Sequence, residues 1–141
     1  MDKKTIIGID PGTNLLGFGV IDVISGKPVF VDMGVLDLRN EADAYSKLRQ
    51  IYDTVTEVCK TYHGTEMALE SPFYGKNAQV ILKLGRAQGA AMLAALEYGI
   101  TDIREYAPRE AKQAITGNGA ASKEQVSVML RKTLVRVNPC A

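Results

Sequence analysis

Three short apolar runs open the chain, each closed by turn residues. Thr5–Asp10 (TIIGID) is stopped by Pro11-Gly12. Leu15–Ile24 (LLGFGVIDVI) is stopped by Ser25-Gly26-Lys27-Pro28, and Val29–Leu38 (VFVDMGVLDL) follows. Runs of this length, rich in β-branched residues and joined by short turns, predict an antiparallel meander of three strands. The period then changes from two to three and four. Tyr45, Leu48, Ile51, Tyr52, Val55, Val58, Cys59 and Tyr62 share one helical face. Asn40 or Asp43 can cap that helix, and His63-Gly64 ends it. Thr65–Glu70 predicts a fourth strand and Ser71–Lys76 a loop.

Asn77 can cap a long helix running to about Tyr98, with Gly99 as its stop. Thr101–Ala107 predicts a fifth strand. Pro108 suits the first turn of a short helix to about Ile115, and TGNGAA (Thr116–Ala121) is a loop. Ser122-Lys123-Glu124-Gln125 is a capping box opening a last helix to about Val135. The order βββαβαβαα, without repeats or linkers, predicts one α/β domain spanning 1–141 with a mixed five-stranded sheet flanked by helices.

The helix after Asn77 is unusual. From Ala87 to Leu96 it has no charge, and Gln88 is its one polar side chain. Gly85 and Gly89 lie four apart beside several alanines. A helix apolar nearly all round is buried on more than one side, so it is expected to be both a core helix and a subunit interface.

Composition narrows the class. The 141 residues are 46% hydrophobic and 23% charged, ordinary values for a globular domain, which exclude disorder, collagen and coiled coil. The length excludes a TIM barrel. Two cysteines without CxxC spacing and a lone His63 exclude the usual zinc patterns, and a reduced, cytoplasmic setting is expected. No apolar run approaches the roughly 20 residues of a membrane span. The net charge of +1 conceals an asymmetry. Residues 1–82 carry 8 basic and 11 acidic side chains, whereas residues 83–141 carry 9 and 5. The basic half suits a polyanionic partner.

Asp10 and Glu70 each end an apolar strand. Two bare carboxylates about 4 Å apart repel by about 4 kcal/mol at an effective dielectric of 20, and a divalent cation between them reverses the sign. Oxygen ligands without His or Cys suit Mg²⁺, with Mn²⁺ as a substitute. Lys112 and Lys123 flank the TGNGAA loop, and Arg109 adds to the positive charge available for phosphates. Phe73-Tyr74 follows Glu70 in a loop with Pro72 and Gly75, where one ring can pack and the other stack on a base.

GIDPGTNLLGFGVI (Gly8–Ile21), ALESPFYGKNAQVILKLGRAQGA (Ala68–Ala90) and YAPREAKQAITGNGAASKEQV (Tyr106–Val126) together resemble RuvC-type Holliday-junction resolvases. The resemblance is collinear over essentially the whole chain. It implies an RNase H-like fold and a homodimer that cuts four-way junction DNA symmetrically, using Mg²⁺ and leaving 5′-phosphate and 3′-hydroxyl ends. It implies further that Asp10 and Glu70 bind metal and that Lys112 and Lys123 support the scissile phosphate. Phe73 corresponds to an aromatic wedge, and Tyr74, Lys76, Asn77, Arg86 and Arg109 fall where DNA-facing residues are expected. A branch-migration complex of RuvA and RuvB is the implied partner.

The family's D-x-x-D-A pattern is not found: no Asp or Glu follows Glu124, and the chain ends Val137-Asn138-Pro139-Cys140-Ala141. The expectation is a chain lacking the last acidic helix, able to bind junctions but weak in cleavage, with an inactive junction-binding protein as the alternative. An actin- or sugar-kinase-like phosphate domain, suggested by Asp10-Pro11-Gly12-Thr13, needs a second lobe. A related resolvase acting on RNA fits the Phe73 loop and the lysine pair less well.

Overall fold

The computed structural model describes residues 2–71 and 77–106. The helices expected after Pro108 and Ser122, together with Cys140, lie outside the described residues. Seven elements follow in the order β1 (Lys3–Asp10), β2 (Leu15–Ile24), β3 (Lys27–Asp37), α1 (Ala44–Tyr62), β4 (Glu66–Glu70), α2 (Ala78–Tyr98) and β5 (Asp102–Tyr106). They form one mixed sheet with strand order β3-β2-β1-β4-β5. The meander β1-β2-β3 is antiparallel, while β4 and β5 add in parallel on the other side of β1. The two parallel joins are made by α1 and α2, as crossovers of this length require.

The β2–β3 turn is tighter than the four-residue turn expected. Ser25 and Gly26 both have positive φ, 51° and 80°, which lets two residues close the hairpin, so β3 starts at Lys27. Pro28 therefore lies within β3, which is tolerated because β3 is an edge strand. The register slips at Val20/Ile21, placing Val31 as an extra residue in β3.

Asp43 is the cap of α1. Its side chain accepts a hydrogen bond from the Ser46 amide at 2.7 Å, and that bond holds its carboxyl below the usual carboxylate range. His63 ends the helix in the left-handed region, and the Gly64 amide donates to the Cys59 carbonyl at 3.1 Å. Gly64 is required by packing, since a Cβ there would meet Ile7 Cγ1 at 2.8 Å. Tyr45, expected on the buried face, is instead 80% exposed because it lies in the first turn, beyond the edge of the core.

Alternation divides the sheet into two faces. Ile7, Ile9, Leu16, Val20, Met67 and Leu69 face α1 and α2, packing on Ile51, Val55, Val58 and Cys59 of α1 and on the alanines of α2. Tyr62 donates to Asp32 of β3, and Tyr52 donates to Glu97 of α2, tying α1 to both neighbours. The second face carries a smaller cluster of Ile6, Ile21, Ala68 and Tyr106. Helix α2 is buried on one side only. Leu84, Ala87, Gln88, Ala91, Ala94 and Ala95 are buried, whereas Leu82, Leu93 and Leu96 are each half exposed. The buried side packs on the sheet and α1, as expected of a core helix, and the exposed leucines lie on the side left for a second subunit.

Candidate active site

Asp10 is the last residue of β1 and Glu70 the last of β4. The two strands are parallel neighbours in the register Ile9↔Leu69, so the carboxylates emerge from the same end of the sheet on adjacent strands. Backbones of such neighbours run about 4.8 Å apart. Alternation places both acids on the face opposite α1 and α2, and both are partly buried. On the β2 side of Asp10 the floor is lined by glycine, while Tyr106 of β5 stands beside Glu70 on the same face. Gly17 pairs with Asp10 and Gly19 with Gly8, and all three glycines are buried. Glycines at such strand positions permit close approach of another group to the sheet.

The loop after Asp10 is tightly fixed. A Cβ at Gly12 would lie 2.2 Å from the Leu15 carbonyl oxygen, so the turn closes only with glycine. The Asn14 carbonyl accepts from the Leu38 amide at 2.8 Å. The Lys47 ammonium of α1 donates to Asn14 Oδ1 at 3.2 Å. At the end of β3, the Arg39 guanidinium donates to Asp37 at 2.7 and 3.0 Å, holding that carboxyl down at about 2 and cancelling its charge.

The main chain at Glu70 is held from both sides. The Ser71 amide donates to the Tyr106 carbonyl at 2.8 Å. From α2, buried Gln88 donates its side-chain amide to the Glu70 carbonyl at 3.0 Å. Asn77 is the cap of α2, accepting from the Val80 amide at 2.9 Å, so its side-chain oxygen serves the helix start. Arg86 lies on the exposed side of α2. Phe73, Tyr74, Lys76, Arg109, Lys112 and Lys123 lie outside the described residues.

The structure thus brings Asp10 and Glu70 to one end of the sheet and adds Gln88 against the main chain of Glu70. Gln88 is visible in the sequence as the single polar residue of an apolar helix. The Lys47–Asn14 contact has no local signal, because it joins residues 33 apart. Among the described residues, no group of three His, Cys, Asp or Glu side chains is placed to hold a metal ion. Two carboxylates suit Mg²⁺ nonetheless, since that ion is commonly held by one or two acids, with waters and substrate phosphates completing its octahedron.

A five-stranded mixed sheet of this order, an antiparallel meander extended by two parallel strands, is an RNase H-like fold. The RuvC family, crossover junction endodeoxyribonuclease RuvC, matches residues 6–139. The chain is 52% identical to the crossover junction endodeoxyribonuclease RuvC of Bacteroides fragilis over 132 residues, covering 94% of this chain and 70% of that protein. The Thermus thermophilus RuvC structure superposes with a TM-score of 0.73 at 32% identity, covering 92% of this chain and 80% of that one. The T. thermophilus RuvC in complex with Holliday junction substrate superposes with a TM-score of 0.71 at 30% identity, covering 93% and 78%. The chain belongs to the RuvC family. Among the described residues, no helix is long and apolar enough to cross a membrane.

Proposed function

We propose that this chain is the nuclease domain of a Holliday-junction resolvase, hydrolysing one phosphodiester bond in each of two opposing strands of a four-way DNA junction. The observation that carries this reading is the pair Asp10 and Glu70, at the same end of two hydrogen-bonded parallel strands in a chain of the RuvC family. Their all-oxygen donor set is the chemistry that Mg²⁺, or Mn²⁺ in its place, requires. A cation held there would neutralise the scissile phosphate and acidify the attacking water. Lys112 and Lys123 supply positive charge to the same phosphate. Phe73 acts as the wedge that unstacks the junction, as inserted apolar side chains do in other DNA complexes. Tyr74, Lys76, Asn77, Arg86 and Arg109 contact the DNA around it.

The active form is a homodimer, whose two-fold axis matches the symmetry of the junction and sets two sites on opposing strands. Helix α2 is the contact. Leu82, Gly85, Gly89, Leu93 and Leu96 recur at helical spacing along its exposed side, and a Cβ at either glycine would meet nothing within 4 Å. The protein works in the cytoplasm with a branch-migration complex of RuvA and RuvB.

The test is cleavage of a labelled synthetic four-way junction in Mg²⁺ by the whole protein. Asp10→Asn and Glu70→Gln each lower the cleavage rate by at least about a hundredfold, while gel-shift binding to the junction persists. Undiminished cleavage by both variants refutes the assignment. Equal cutting of linear duplex and junction removes the junction from the proposal.

A further inference from the structure

We infer that Gln88 is the positioning residue for Glu70, supplying a hydrogen bond that the sheet itself cannot make at this point. The inference rests on the reading of Glu70 as a cation ligand. Its basis is the ladder between β1 and β4. The Thr5 amide donates to Thr65 Oγ1 at 2.9 Å, and the Thr5 carbonyl accepts from the Thr65 amide at 2.8 Å. Thr5 thus turns its main-chain groups toward β4, and by alternation so do residues 7, 9 and 11. On the opposite strand, the Ser71 amide faces β5, so the main-chain groups of Glu70 face β1. With Ile9 opposite Leu69, the next rung runs from the amide of residue 11 to the carbonyl of Glu70. Residue 11 is proline and has no amide hydrogen. The pairing of β1 with β4 stops at Ile9/Leu69 accordingly.

Gln88 fills that gap from a third element. It is 5% exposed, within the apolar stretch of α2, and its side-chain amide donates to the Glu70 carbonyl at 3.0 Å. Burying an amide in such a stretch is costly unless it finds a partner. Here the partner is the main chain of the residue that carries the carboxylate. Pro11 therefore opens the turn after Asp10 and removes a rung beside Glu70, and Gln88 restores the lost constraint. The angle at which Glu70 leaves the sheet is set by α2.

The experiment is Mn²⁺ binding to the whole protein, read by electron paramagnetic resonance without DNA, for wild type, Gln88→Met, Glu70→Gln and Ala94→Gly. Ala94 is buried in the same helix and serves as a control for general loosening. Junction binding in EDTA is measured alongside and is expected to be unchanged in Gln88→Met. Loss of an outer-shell partner typically weakens metal affinity by about 10–100-fold, and Gln88→Met is expected to weaken Mn²⁺ binding by about tenfold. Ala94→Gly is expected to keep wild-type affinity. Wild-type Mn²⁺ affinity in Gln88→Met, with affinity lost in Glu70→Gln, overturns the inference. So does an equal loss in Ala94→Gly, which makes the effect one of helix stability. Full Mn²⁺ affinity in Glu70→Gln instead overturns the reading of Glu70, and the inference falls with it. Gln88→Asn keeps the amide but shortens its reach. It is read on the same scale, and decides the matter where Gln88→Met does not fold.

Discussion

Replacing Gly12 by alanine forces a methyl group against the main chain of the loop that follows Asp10. The new Cβ would lie 2.2 Å from the Leu15 carbonyl oxygen and 3.3 Å from its carbon. Real Cβ contacts essentially never fall below 3.0 Å, so the main chain must move by roughly 0.8 Å. Its freedom to do so is small. Leu15 opens β2 opposite Asp37, and the preceding Asn14 carbonyl accepts from Leu38 at 2.8 Å. Overpacking of this kind costs about 1–3 kcal/mol, and loss of the Asn14–Leu38 hydrogen bond adds about 1 kcal/mol. The expected destabilisation is therefore about 2–4 kcal/mol. A chain of this length has an unfolding entropy of about 0.3 kcal/mol/K, so the melting temperature should fall by about 7–13 °C. Urea titration followed by circular dichroism measures the free energy, and a thermal scan checks it. A change of less than about 0.5 kcal/mol, the size of a neutral surface substitution, refutes the argument that the turn closes only with glycine.

Three further substitutions probe other parts of the fold. Gly85→Ala and Gly89→Ala add a methyl to open space within a helix, so each should stabilise the dilute monomer by about 0.5–1 kcal/mol. If the stripe is the subunit contact, sedimentation equilibrium should show the same variants dimerising more weakly. Stabilised monomers with undiminished dimerisation place the contact elsewhere. Cys59 is fully buried, and burial pushes its thiol up to about 11. Its folded-state value lies above its unfolded one, so this contribution to stability is complete below about pH 9 and is lost as pH rises toward 11. Urea titrations across that range should show the decline in wild type and a shallower one in Cys59→Ala. Rapid alkylation of Cys59 in the native protein at pH 8 would contradict the burial.

The strands and their ends were legible because local chemistry sets them. Asp10 and Glu70 stood out as acids closing apolar runs, and the structure places both at strand ends. His63-Gly64 and Gly99 stopped their helices through the left-handed geometry expected of such positions. The β2–β3 turn was read too long, because Lys27-Pro28 looks like turn chemistry until β3 is known to be an edge. Which face of α2 packs on the sheet was not legible. A helix rich in Leu and Ala looks alike on all faces, and only the placement of α1 and the sheet decides which face is covered. Gln88 was conspicuous but unassignable. Its partner is defined by the parallel pairing of β1 with β4, which joins residues some sixty positions apart. Pro11 carried two meanings for the same reason, a local one as a turn residue and a non-local one as a missing donor.

The place of β1 in the middle of five strands has a consequence for how the protein handles its substrate. Each carboxylate sits on a strand paired along both edges, one of them the central strand of the sheet. Such strands open to hydrogen exchange only with the whole fold, whereas edges and loops open far more readily. Asp10 and Glu70 are therefore presented as a fixed anvil. On the proposed assignment of the two acids as cation ligands, the work of bringing a phosphate to them falls on the DNA. A nuclease built this way selects its substrate by which nucleic-acid structures can be bent to reach an immovable pair of acids.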